Sequence, residues 1–224
     1  MANFDSSDLY TRVTRYINRP TSDELVTPTL VYALLSEAQT EILGELATLA
    51  PASQMGAPVL MTSADGGVTY TFGTDADGND VFPLACEIYA EIDGREWRAC
   101  SWTSWGDFVP EGNKVRMPGN VAQTITNGPY ARFVAANASI TSVIQPVLNP
   151  PAARMLIVYK ALVKFAAIGA IRDPKAWQDE YDKAWKTWVT ALRTQFADSA
   201  GVANEGLTRA SWWNAFDTTR GYHT

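Results

Sequence analysis

A chain of 224 residues, 46% of them apolar and eight of them tryptophan, has the hydrophobic content of a packed core and not that of a disordered protein. Its net charge is −6; residues 1–50 hold three basic and seven acidic groups and residues 51–150 hold five and ten, a poor balance for gripping nucleic-acid phosphates. No basic, apolar and small-residue succession marks a signal peptide, and the longest apolar run, 155–171, is interrupted by Lys160 and Lys164, so the expectation is a soluble chain made in the cytosol, with no membrane partner.

The first predicted helix covers about 7–18, with Leu9, Val13, Tyr16 and Ile17 on one side and Arg19-Pro20 as its stop. The second begins at Thr27, an N-cap residue followed by proline at the first helical position. It carries Val31, Leu34, Leu35, Ala38, Ile42, Leu46 and Leu49 at helical spacing and ends before Pro51. From residue 52 to 149 the signature changes to short alternating runs at 68–72, 86–92, 96–101, 114–117 and 130–135, punctuated by Gly, Pro, Asn and Asp. That predicts a small antiparallel β-domain whose first hairpin turns through 74–80. Asp93-Gly94 is a strong two-residue hairpin signal, and centring the hairpin there pairs Ile92 with Arg95, Ala90 with Trp97 and Ile88 with Ala99. In that register Cys100 faces Glu87 and Cys86 faces Ser101, so the two cysteines are read as free thiols.

Pro150 and Pro151 are expected to open a third helix, joined through Gly169 to a fourth that starts at Pro174 with Asp173 as its N-cap. The fourth carries Trp177, Tyr181, Trp185, Trp188, Leu192 and Phe196 at steps of three or four, one continuous apolar stripe. Residues 151–197 hold eight basic and four acidic groups. Each lysine there is most simply a solvated side chain, and the alternative is an acidic partner surface such as that of a neighbouring copy. The segment 198–224 reads as a flexible tail with an aromatic plug at Trp212, Trp213 and Phe216. Together these elements predict an α+β protein.

Catalytic and metal chemistry find little support. The single histidine, His223, leaves no histidine triad or multi-histidine metal site, and the two cysteines lack C-x-x-C spacing. Asp75, Asp77 and Asn79 mimic the first ligands of a calcium loop, but Asp80 stands where glycine is needed and Cys86 where glutamate is needed, so a hairpin tip is the better reading. No phosphate-loop, dinucleotide or nucleophile-elbow motif occurs. Trp97, Trp102 and Trp105 near Glu87, Glu91, Glu96 and Asp107 suggest a sugar cleft with an acidic pair, although tryptophans packed between sheet and helices explain them more simply. The expectation is a building block with no catalytic residue, metal or cofactor.

Three stretches carry a family resemblance. They are Asp8-Leu-Tyr-Thr-Arg-Val-Thr-Arg-Tyr-Ile-Asn18 with Asp23-Glu-Leu and the helix through Ala38; Phe108-Val-Pro-Glu-Gly-Asn-Lys-Val-Arg-Met-Pro118; and Pro150-Pro151 through Val158-Tyr-Lys-Ala-Leu162 and Ala166-Ala-Ile to Tyr181 and Ala191-Leu192. In order and spacing the chain resembles the head–tail adaptor (connector) proteins of tailed bacteriophages over roughly residues 5–196. The long turn at 74–80, the tryptophan-rich 97–105 stretch and the 27-residue tail depart from that pattern.

The resemblance implies an antiparallel helical core built from residues 1–51 and 150–197, a β-domain at 52–149 inserted between the second and third helices, and a tail at 198–224 for partner docking. It implies a virion neck protein forming a ring of about twelve copies under the portal. Such a ring bridges the portal to a tail or stopper protein, and the genome passes through the channel without sequence-specific binding. Acidic segments on a channel wall let DNA slide where basic ones would trap it. Trp212, Trp213 and Phe216, with Arg209 and Arg220, are the candidate docking residues, because buried aromatic and arginine side chains carry much of an interface's energy. Alternative readings are another neck component (a stopper or tail terminator) or a carbohydrate-binding tail protein using the tryptophan-rich sheet.

Overall fold

Helix α1 (Ser6–Ile17) starts where Asp5 caps it, the carboxylate accepting from the Asp8 amide at 2.8 Å. It stops at Asn18, which turns left-handed at φ 51° while its amide donates to the Thr14 carbonyl at 3.0 Å. The computed structural model describes residues 4–18, 24–50, 53–63, 65, 67–75, 78–92, 95–100, 109–116, 125–136 and 139–199. Leu9, Val13 and Ile17 of α1 are buried as their spacing predicts. Tyr16 is not: it is 43% exposed, its ring 5.3 Å from that of Trp177.

Helix α2 (Pro28–Leu49) opens as expected, Thr27 Oγ1 accepting from the Leu30 amide at 3.3 Å. Val31, Leu35, Ala38, Ile42 and Leu46 are buried, but Leu34 is only partly covered and Leu49 is exposed. Leu43 and, unexpectedly, Gln39 complete the face. Gln39 is wholly buried because its side-chain oxygen accepts from the Val147 and Leu148 amides at 2.9 and 3.3 Å. Ser36 Oγ accepts from the Ile140 amide at 2.8 Å, and Gln54 Nε2 donates to the Asn149 carbonyl at 2.7 Å. These bonds tie the 139–149 stretch to the helices.

Helix α3 (Met155–Ala167) follows a 3₁₀ turn at Pro151–Arg154, one turn later than the proline pair suggests, with the Asn149–Pro150 peptide cis. Leu156, Ile157, Val158, Ala161, Leu162 and Phe165 of α3 are buried. Its end is a glycine stop: Gly169 sits at φ 78°, where a side chain is strained, and the Ala170 amide donates to the Phe165 carbonyl at 2.9 Å. Helix α4 (Pro174–Ser199) has the predicted cap, Asp173 Oδ1 accepting from the Ala176 amide at 3.1 Å. Helices α1, α2 and α3 pack together. Each fully buried Leu, Ile or Phe between them stabilises by about 1.5–3 kcal/mol relative to exposure.

The strands are β1 (Val59–Leu60), β2 (Thr62–Ser63), β3 (Thr69–Thr71), β4 (Pro83–Ile92), β5 (Arg95–Cys100), β6 (Val109–Glu111), β7 (Lys114–Arg116) and β8 (Ile125–Ala135). They form two four-stranded sheets, ordered β1-β8-β4-β5 and β2-β3-β7-β6. The β4–β5 register is the predicted one, with Ile92 opposite Arg95, Ala90 opposite Trp97 and Glu87 opposite Cys100. The expected hairpin turn at 74–80 is closed by the antiparallel Thr74–Asp80 bridge, and β3 before it pairs with β2 and β7 in the second sheet. Strand β8 begins at Ile125, five residues before the predicted run, and continues through Gly128-Pro129, a dipeptide that reads locally as a breaker.

Helices and antiparallel sheets together make this an α+β protein. The chain divides into two compact units: Met1–Met55 with Val81–Leu84 and Phe133–Val189, and Gly56–Asp80 with Ala85–Arg132 and Thr190–Thr224. The helical unit thus takes in 133–149, which the sequence reading assigned to the β-region; the Gln39, Ser36 and Gln54 bonds are the physical reason.

Candidate functional site

The helical unit brings its charged residues together on α2 and α3. Glu37, Glu41 and Glu45 stand at four-residue intervals on one row of α2, and Lys160 and Lys164 stand at the same interval on α3. Lys164 Nζ pairs with Glu41 and, at 3.0 Å, with Glu37; Lys160 Nζ lies 3.2 Å from Glu41 and 3.7 Å from Glu45. Burial alone would raise the Glu41 carboxyl, but hydrogen bonds and charge from Lys164 and Lys160 outweigh it and hold Glu41 below the ordinary range. Burial would likewise lower Lys164, and Glu41 and Glu37 hold it above its ordinary value. The two lysines therefore meet an acidic surface, as one sequence reading had it, but that surface belongs to the same chain.

Lys160 also caps the apolar stripe of α4, its ammonium 4.8 Å from the Tyr181 ring centroid. Tyr181 stacks on Trp185 with centroids 6.0 Å apart, and its hydroxyl is buried without a hydrogen-bond partner among the described residues. Burial, aided by the Glu45, Asp182 and Glu41 carboxylates, pushes that hydroxyl's pKa up. Of the predicted stripe, Tyr181 and Leu192 are buried, while Trp177, Trp185 and Trp188 are half-covered.

On α1, Asp8, Thr11, Arg12, Arg15 and Tyr16 line a groove of about 540 Å³. The Arg12 guanidinium stands 4.7 Å from the Phe4 ring centroid. Neither Arg12 nor Arg15 has a carboxylate partner among the described residues. The sequence reading passed over this groove and the acidic row. The i, i+3 spacing of Arg12 and Arg15 and the i, i+4 spacing of the three glutamates were the available signals.

The candidate docking residues Arg209, Trp212, Trp213, Phe216 and Arg220 lie outside the described residues, as do Trp102, Trp105 and Asp107 of the sugar-cleft alternative. Cys86 is a buried free thiol. In the calcium-like turn, the Asp75 carboxylate accepts from the Asn79 amide at 2.9 Å, the work of a turn residue. Among the described residues no group of three or more His, Cys, Asp or Glu is placed to hold a metal, and no helix is long and apolar enough to cross a membrane.

With this geometry in hand, comparison with family models and with curated proteins finds no match.

Proposed function

We propose that this chain is a structural virion protein: a head–tail adaptor that forms a ring under the phage portal and continues the DNA channel toward the tail, without catalysis. The observation that carries the reading is the order of elements, a helix pair, then two small antiparallel sheets, then a second helix pair. In this reading the sheets are an insertion between the second and third helices of a helical core, and residues 198–224 dock on a neighbouring virion protein. A further support is the helical unit's outer surface, which displays charged rows and half-covered tryptophans suited to side-by-side packing.

Co-sedimentation of the chain with a portal ring from the same genome tests the reading. Joint sedimentation is expected. Sedimentation with the tail tube instead, and not with the portal, would move the assignment to a stopper or tail terminator.

A further inference from the structure

We infer that the α1 groove of one copy receives the α2 glutamate row of the next, so that copies associate head to tail through opposite flanks of the α1–α2 pair. The inference rests on the ring reading in taking a second copy as the occupant; the two faces follow from geometry and charge.

Tyr10 of α1 and Tyr32 of α2 stack at 5.3 Å and mark the seam between these helices. At 100° per residue, Arg12 and Arg15 lie about 140–200° around α1 from Tyr10, and Glu37, Glu41 and Glu45 lie about 140–220° around α2 from Tyr32. Each set therefore faces away from the seam, and the two point to opposite sides of the pair. Among the described residues the groove's lining holds two guanidiniums, Arg12 and Arg15, against one carboxylate, Asp8. The row holds three carboxylates against two ammoniums and stays open to solvent, with side-chain exposure of 62% at Glu37 and 44% at Glu41 and Glu45.

Opposite excess charge on opposite flanks of one molecule is self-complementary only between copies, and the contact is heterologous. Such a contact closes into a ring or runs on as a filament. Exposed ion pairs contribute little affinity singly, so the charges set partner and register. The half-exposed Tyr16 edge beside Trp177 supplies apolar contact at the groove.

The test is a charge swap on the full chain, read by sedimentation over a concentration series. Arg15→Glu and Glu37→Arg are each expected to weaken self-association by about tenfold or more, because each sets like charges face to face. Mixing the two variants, or combining them in one chain, is expected to restore association, since each acidic groove then meets a basic row. Thermal melts of the variants matching the parent show that the fold is kept, and restoration by mixing reports on the interface whatever each variant does alone. Association unchanged by either reversal, or lost in the singles and not restored by mixing, overturns the inference and leaves the ring reading standing. A chain that stays monomeric at every concentration also overturns it, and portal co-sedimentation decides the ring reading separately.

Discussion

Glu41 and Lys164 link the stability of the helical unit to pH in opposite directions. Glu41 is held below its ordinary value of 4.5, so its contribution is present above that pH and is lost as pH falls through the folded value. Lys164 is held above 10.5, so its contribution is present below that pH and is lost as pH rises through the folded value. Glu41 is half-exposed and Lys164 mostly covered but still reached by water, which limits each pair to about 1 kcal/mol. Replacing Glu41 by Gln should lower the melting temperature slightly at neutral pH, with the gap to the parent closing as pH falls below the carboxylate range. A gap constant with pH contradicts the assignment. Cys86 gives a second residue-scale expectation. Burial, with the Glu87 charge adding, pushes its thiol up from 9.0 to about 12, leaving about a thousandfold less thiolate than an ordinary cysteine. Alkylation followed by peptide-resolved mass spectrometry should find Cys86 unmodified in the folded chain and modified after unfolding. Rapid labelling of the folded chain contradicts the burial.

At the scale of elements, local signals and long-range ones part company. Thr27, Pro28, Asp173 and Gly169 could be read directly, because a cap or stop needs only residues within one turn of itself. The β4–β5 pairing was legible for the same reason, because a local turn signal and the alternation around it fixed the register. The β3–β7 pairing was not, since its partners lie over forty residues apart and no local pattern names them. Gln39 was missed because a buried polar side chain shows only through its distant backbone partners, here Val147 and Leu148. The Glu–Lys ladder was half legible: spacing gave each row, and only the packing of α2 on α3 showed that they face each other. Two substitutions follow. Gln39→Leu leaves the buried Leu148 amide without its acceptor and should cost about 1–3 kcal/mol in chemical denaturation. Thr27→Ala removes one cap bond and should cost about 1 kcal/mol. A Gln39→Leu chain as stable as its parent would show that the 139–149 stretch is not anchored as described.

For the molecule as a whole, the chain forms two compact units, and the proposed role gives the helical one neighbour-to-neighbour packing and leaves the β-containing one and the tail for other virion partners. Deleting residues 205–224 should leave the thermal melt unchanged and weaken docking, because the candidate anchors Trp212, Trp213 and Phe216 go with it. Unchanged docking removes the tail from the account and leaves the helical packing intact. The acidic balance of residues 1–150 suits a surface along which DNA slides, and duplex DNA added to the free chain should bind no more tightly than to a neutral protein. The central claim is best tested by mass photometry of the portal ring before and after addition of this chain. A gain of about twelve chain masses per ring is the predicted result. An unchanged portal mass at saturating chain contradicts the adaptor role.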